Sequence, residues 1–203
     1  MDVTVIVATY GDDRWHEMAM KRAVESAKHQ APVRVMHVGN GVGLSEVRNR
    51  AVAEFDPQGW ICFLDGDDEL EPGYIDHMDR ATGPHGQLMI PAIRYVRPGA
   101  AWARVSPRVF RDRDIIGGLN PCPIGTLIHR SVFDDIGGFW PERAWEDWSL
   151  FRRAVLAGVR LAFVPNAVYR CHVSNNGRNS TVSDQHGLRA EIIESHDRWL
   201  ATR

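Results

Sequence analysis

The chain has 203 residues, 44% of them hydrophobic, and 24 Lys and Arg stand against 26 Asp and Glu for a formal charge of −2. That length holds one domain with room for a sizeable core. The near-neutral balance and the lack of a long basic run argue against a nucleic-acid-binding surface, and no apolar stretch approaches the ~20 residues of a membrane span.

The start, Met1-Asp2-Val3-Thr4-Val5, is acidic and already strand-like, with no sign of a signal peptide. Val3 to Ala8 is a nearly continuous β-branched run, as expected for a parallel strand covered on both faces. It ends in the polar loop Thr9 to Asp13. Trp15 to His29 reads as a helix, with Trp15, Ala19, Ala23 and Ala27 at turn spacing. Val33 to Val38 is a second strand, Gly39 to Gly43 a turn, and Leu44 to Phe55 a second helix with Ser45 as its cap. Trp60 to Leu64 is a third strand and Pro72 to Arg80 a short helix. The order β-α-β-α-β is that of a doubly wound nucleotide-binding half, in which ligands lie beyond the carboxyl ends of the strands. Thr9 to Asp13, Gly39 to Gly43 and Asp65 to Asp68 all fall there.

The second half has another pattern. Leu88 to Arg97 and Arg104 to Phe110 read as a hairpin across Pro98-Gly99, and Asn120-Pro121-Cys122-Pro123-Ile124-Gly125 as a rigid, irregular connection. Thr126 to His129 is a short strand, and Arg130 to Ile136 a helix stopped by Gly137-Gly138. Trp148 to Ala157 is a helix with Phe151 and Val155 on one side, ended by Gly158. Arg160 to Val164 is a strand. Ser174 to Ser180 has no apolar anchor and is expected to be mobile. Leu188 to Leu200 is a terminal helix with an apolar stripe of Leu188, Ile192 and Trp199. No repeat or linker divides the chain, which implies a single α/β domain: residues 1–80 as a binding half, 81–203 as the remainder. Cys62, Cys122 and Cys171 are too widely spaced for a disulfide framework or a zinc pattern, which points to the cytoplasm.

Residues 61–68, Ile-Cys-Phe-Leu-Asp-Gly-Asp-Asp, run an apolar strand into three carboxylates. A buried strand cannot hold three unpaired negative charges, so Asp65, Asp67 and Asp68 must sit where it leaves the sheet. Carboxylates this close repel unless a cation neutralises them. A divalent metal with a phosphate-bearing substrate suits such hard oxygen ligands; an acidic turn facing water is the alternative these residues leave open. Asp65-x-Asp67-x-Glu69 has the spacing of a calcium loop, but Leu70 stands where that loop needs glycine, so a calcium loop is rejected.

Further motifs follow in order. Val3 to Tyr10 is similar to a first strand leading into a nucleoside-binding loop. Gly43-Leu44-Ser45-Glu46-Val47-Arg48-Asn49 resembles a Gly-x-x-x-x-Arg-Asn segment, and Asp65-Gly66-Asp67 an Asp-x-Asp motif. Gly137-Gly138-Phe139 precedes Trp145-Glu146-Asp147-Trp148, and Tyr169-Arg170-x-His172 comes late in the chain. With these motifs the chain resembles inverting glycosyltransferases of the GT-A fold, in particular the family 2 group, over nearly its whole length. The fold so implied is a Rossmann-like nucleotide-binding half with a mixed central sheet and a small acceptor half. The activity implied is hexosyltransferase-like: transfer of a sugar from a nucleotide-diphosphate donor, most of all a UDP-sugar, to an acceptor hydroxyl.

The resemblance also implies roles. Thr9, Tyr10, Asp12 and Asn40 would meet the nucleoside. Asp67 is the first metal ligand, Asp65 holds the metal or the ribose, Asp68 adds a supporting contact, and His172 joins as a further ligand on the mobile loop. Oxygen and imidazole together favour Mn²⁺ over Mg²⁺. Arg48 is the cation that balances the acidic cluster, and Arg178 reaches the diphosphate as its loop closes. Asp147 is the general base, kept ionised by the helix dipole, with Glu146 as the second choice; by position alone Asp147 equally reads as a helix cap. Trp140 and Trp145 could stack on a sugar, and Trp148 reads as core. One departure stands out: family members carry an Asp pair at the end of the second strand, whereas here the strand ends His37-Val38-Gly39-Asn40-Gly41 in a shortened region. The second half is also short, which leaves the acceptor site open or completed by a partner. The acceptor is unspecified. Two rivals remain: a nucleotidyltransferase, disfavoured because Thr9 to Asp13 is neither Gly-rich nor basic, and a non-catalytic nucleotide-sugar-binding or scaffold domain.

Overall fold

In the computed structural model, which describes residues 1–83, 87–97, 103–105, 111–120, 122–173 and 183–203, the β-branched run forms strand β1 (Val3–Tyr10), buried except at its second and last residues. The following helix comes in three pieces: α1 (Asp13–Ala19), a π-helical turn (Met20–Val24) and α2 (Glu25–Ala27). Ala19, Ala23 and Ala27 are fully buried, as their spacing requires, but Trp15 is exposed with the Arg14 guanidinium 5.4 Å from its ring. β2 (Val33–Val38), α3 (Leu44–Phe55) and β3 (Trp60–Leu64) keep the predicted boundaries. The cap of α3 is the extended Gly43. Ser45 is instead the second helical residue, and it is buried.

After β3 come β4 (Glu69–Leu70) and α4 (Tyr74–Arg80). β5 (Gln87–Val96) and β6 (Ala103–Val105) form the expected hairpin, with Ile93 opposite Val105; residues 98–102 and 106–110 lie outside the described residues. α5 (Asp112–Ile116) is an element the sequence reading misses. Its signal is an acid three residues after the cap: Asp114 Oδ2 accepts from the Arg111 N–H at 2.8 Å. β7 (Ile128–His129) and α6 (Arg130–Asp135) fall within the predicted ranges but are shorter, while α7 (Glu146–Leu156) begins two residues early. β8 (Arg160–His172) is far longer than expected. Its pairing with β5 skips from Val164 to Val168, so the stretch around Pro165, which has no N–H to donate, bulges out and the strand then resumes. Tyr169 to His172 therefore lie on a strand rather than a loop. α8 (Gln185–Leu200) ends the fold.

Two mixed sheets result. One has the order β2-β1-β3-β7, the other β4-β8-β5-β6. β1, β2 and β3 run parallel, and β7 is antiparallel to β3. Met89 and Leu127 exchange backbone hydrogen bonds of 3.1 and 3.0 Å, so β5 continues the first sheet beyond β7. A single apolar core runs from Val3 to Ile192 across both sheets, which makes one domain. Among the described residues no helix is long and apolar enough to cross a membrane.

Gly125 sits at the junction of the sheets. Tyr74 Oη donates to its carbonyl at 2.7 Å, and a Cβ there would overlap the Tyr169 ring. Gly125→Ala is expected to destabilise the fold by about 1–3 kcal/mol through overpacking, seen as a lower urea midpoint with an unchanged slope.

Candidate active site

The acidic turn lies at the carboxyl end of β3, tucked against β1 and α1. A Cβ on Gly66 would stand 2.9 Å from Thr9 Cγ2 and 3.0 Å from the Ala19 Cβ, so only glycine lets the turn approach this closely. Carboxylate oxygens of Asp65, Asp67 and Asp68 lie within 4.8 Å of one another. Asp68 is the buried member. It accepts from the His172 N–H on Oδ1 at 2.7 Å and from Tyr169 Oη on Oδ2 at 2.7 Å. Burial, then the charges of Asp65 and Asp67, push its pKa well above the carboxylate range despite those donors. Burial and Asp65 also raise Asp67, against the weaker pull of Arg22 and His172. The π-helical turn carries Arg22, whose Nη1 donates to the Asp67 carbonyl at 2.7 Å.

Arg48, on α3, joins this turn to the second half. Its Nη2 is 2.6 Å from Asp65 Oδ1 and its Nη1 2.9 Å from Glu146 Oε1. The guanidinium is 2% exposed and lies 5.0 Å from the Phe139 ring. Burial alone would lower its pKa; the two carboxylates outweigh that and raise it. The neighbouring Asn49 clamps the Gly-Gly-Phe segment from both sides: its Nδ2 donates to the Phe139 carbonyl at 2.8 Å, and its Oδ1 accepts from the Phe139 N–H at 2.9 Å. Gly138, at φ 62°, must be glycine because a Cβ would sit 2.7 Å from Asn49 Oδ1. Thus two motifs ninety residues apart dock as a unit, and Arg48 joins Glu146, the neighbour of Asp147, to the acidic turn.

Asp147 is the second residue of α7, half-buried. Its Oδ2 accepts from Asn120 Nδ2 at 3.1 Å, and its Oδ1 from the Trp148 N–H at 2.7 Å. The expectation that the helix dipole holds its pKa low is corrected. Burial and the adjacent Glu146 charge raise it to about 6, outweighing the Trp148 N–H, Arg48 and Asn120. Trp145 precedes the helix at φ 55°, a left-handed conformation costing a non-glycine residue about 1–3 kcal/mol.

Trp140 and Trp145 are not sugar platforms. Trp145 is buried with the Arg189 guanidinium 4.8 Å from its ring. Trp140 lies between Arg153, at 4.3 Å, and the rings of His196 and Trp199. Both pack the C-terminal helix. Trp148 is core, with Nε1 donating to the Ile115 carbonyl at 3.0 Å.

On the nucleoside side, Thr9 is buried, its Oγ1 2.9 Å from Nδ1 of His37 on the adjacent strand. Tyr10 is exposed. Asp12 caps α1, accepting from the Arg14 N–H at 2.9 Å. Asn40 stands beside Gly11, its Oδ1 3.4 Å from a Cβ placed there. His172 is the last residue of β8 rather than part of a loop, and its Nε2 lies 2.7 Å from Glu69 Oε2. Arg170 Nη1 reaches the same oxygen at 3.2 Å. Partial burial raises Glu69, but His172 and Arg170 prevail and its pKa lies below the usual value. Arg178 and the segment expected to be mobile, Ser174 to Ser180, fall outside the described residues. Sequence reasoning misses Asn120, Tyr169, Glu69 and Arg22 as site residues. Each acts through a contact distant in sequence, and only the alternation along β8, which brings Tyr169 and Cys171 to one face, hints at any of them.

Residues 12–137 match the family described as glycosyl transferase family 2. The chain belongs to that family. No curated protein matches it. Solved structures share the architecture, and the fold is GT-A. Staphylococcus (S.) aureus TarS 1–349 in complex with UDP-GlcNAc superposes with a TM-score of 0.63 at 15% identity, over 100% of this chain and 66% of that one. The mannosyltransferase PcManGT from Pyrobaculum calidifontis, in complex with GDP-Man and Mn²⁺, gives 0.55 at 16% identity over 99% of this chain and 64% of that one. This family 2 chain thus spans just under two thirds of the length of each.

Removing the bridging cation strands the buried Glu146 and the partly exposed Asp65. Arg48→Met is expected to cost about 3–5 kcal/mol in urea unfolding, and Arg48→Lys to recover only part of this, since one ammonium lacks the fork that reaches both carboxylates. Asp147 leaves a pH signature. Its folded pKa lies above its unfolded one, so the protonated form favours the fold and stability falls as pH rises from about 4 to 6. Asp147→Asn is expected to remove that fall and to exceed wild type by on the order of 2 kcal/mol above the window, a difference read from unfolding curves at several pH values.

Proposed function

We propose that this family 2 chain transfers a sugar from a nucleoside-diphosphate donor, a UDP-sugar first, to an acceptor hydroxyl with inversion. One observation carries the reading: Arg48 joins Asp65 of the acidic turn to Glu146, beside Asp147. That contact supports a leaving-group site and a proton acceptor lying side by side. The relatives in complex with UDP-GlcNAc and with GDP-Man and Mn²⁺ support the donor class.

In this reading residues 1–80 hold the donor, with Thr9, Tyr10, Asp12 and Asn40 at the nucleoside, and residues 81–203 build the acceptor side. Asp67 and Asp65 would hold Mn²⁺ or Mg²⁺, joined by His172 on release from Glu69. The fit lies in the raised pKa values of Asp67 and Asp68, caused first by burial and then by the neighbouring carboxylates, and a dication offsets both. The ion supplies neutralisation of the charge that grows on the departing diphosphate, and Arg178 would add a second cation there. Asp147 takes the proton of the acceptor hydroxyl. The freed oxygen attacks the anomeric carbon opposite the bond to the diphosphate, and that single displacement inverts the centre. Glu146, bound to Arg48, positions the cation. The protein acts in the cytoplasm on an acceptor brought to an open face.

Asp147→Asn tests this. It should keep donor binding and lose about 10²–10⁴-fold in transfer or donor hydrolysis. Wild-type rate should fall as pH drops below about 6, where Asp147 takes up its proton. Full activity in the variant would remove Asp147 from the role of base. A folded wild type that binds no nucleotide sugar would favour the scaffold reading, which the replacement of an acid by Asn40 makes concrete.

A further inference from the structure

β2 is the outermost strand of its sheet, paired with β1 on one side. Residues 39–43 lead directly from β2 into α3, so among the described residues no strand covers the other side. An open edge presents unpaired N–H and C=O groups to whatever can pair with them. Apart from Arg34, β2 carries none of the usual guards: no lysine, no proline and no bulge interrupts Val33 to Val38. Its apolar side chains are only half-buried. Val35, Met36 and Val38 form, with Ala53, Glu54 and Phe55 of α3, the wall of a trough of about 640 Å³.

We propose that this edge is a homodimer interface, in which β2 pairs antiparallel with β2 of a second copy about a two-fold axis normal to the sheet. Three features select a second copy as the occupant. First, α3 packs across both β1 and β2, which sets its axis between them, roughly half a strand spacing inside the edge. With paired strands ~4.8 Å apart, the two α3 helices come to ~9–10 Å, the distance at which helices pack. Second, Ala53 is small and exposed on the outward stripe of α3, which permits that approach. Third, the charges are self-complementary. Arg50 and Glu54 are both exposed, one helical turn apart, and a two-fold axis level with Val52 sets Arg50 of each copy against Glu54 of the other. Arg50 already holds Glu46 within its own helix, whereas Glu54 has no ion pair among the described residues. One sheet of twice the width, floored by two antiparallel helices, results, and both acidic turns stay clear of the contact because they lie beyond β3.

Sedimentation velocity of the full chain, from low to high micromolar concentration, tests this. The wild type should be a concentration-dependent dimer. Arg50→Glu, at an exposed position, should keep the fold by circular dichroism and weaken association roughly tenfold or more. Arg50→Glu with Glu54→Arg restores complementarity across the axis and should restore the dimer. Ala53→Arg should block it. A wild type that stays monomeric throughout, a dimer untouched by both single substitutions, or a charge-swapped variant that fails to recover would each overturn the proposal.

Discussion

Arg48 is almost wholly out of water and carries one carboxylate from each half of the chain. Desolvating three charges together is expensive, and apolar residues of the same shape often match a buried ion pair for stability. What apolar packing cannot do is hold Asp65 and Glu146 at opposite ends of one planar fork. The Asn49 clamp on Phe139 fixes the same α3 segment to the start of the second half. These contacts bring the acidic turn and Asp147 to one place, and the site follows from them.

The site's electrostatics are unbalanced in the protein alone. Carboxylates at positions 65, 67, 68, 146 and 147 outnumber the nearby Arg48 and Arg22, and burial first, with that excess added, raises the pKa values of Asp67, Asp68 and Asp147. Asp147 and the acid turn differ in a useful way. The turn's repulsion calls for a cation, whereas Asp147, with a pKa of about 6, is ionised at neutral pH yet basic enough to take a proton. The left-handed Trp145 just before it is a local cost borne beside the chemistry, and the fold absorbs it through the packing of that indole under Arg189.

The first half was legible because its signals are local. The β-branched run from Val3, the spaced valines from Val33, the glycines around Asn40 and the apolar strand ending at Asp65 each mark an element without help from distant residues, and β2, α3 and β3 keep the predicted bounds. The second half depends on partners. β8 resumes after Pro165 because β5 is there to pair with it, and nothing in residues 165–172 alone says so. His172 consequently sits on a strand against Glu69. The direction of the Asp147 shift was also hidden: helix position is visible in sequence, but burial is tertiary, and burial wins. Trp140 and Trp145 read from sequence as aromatics able to stack on a sugar, yet residues of α8 pack against both, a contact no local pattern encodes.

In the proposed function the acidic turn, held by Arg48, is a cation-dependent nucleotide-sugar site. Calorimetric titration of the folded chain with UDP, and with GDP, CDP, ADP and dTDP for comparison, each with and without Mn²⁺, addresses it directly. UDP is expected to bind when Mn²⁺ is present and to lose most of its affinity without it. Binding of UDP that is indifferent to the metal, or binding of no nucleotide at all, would contradict it.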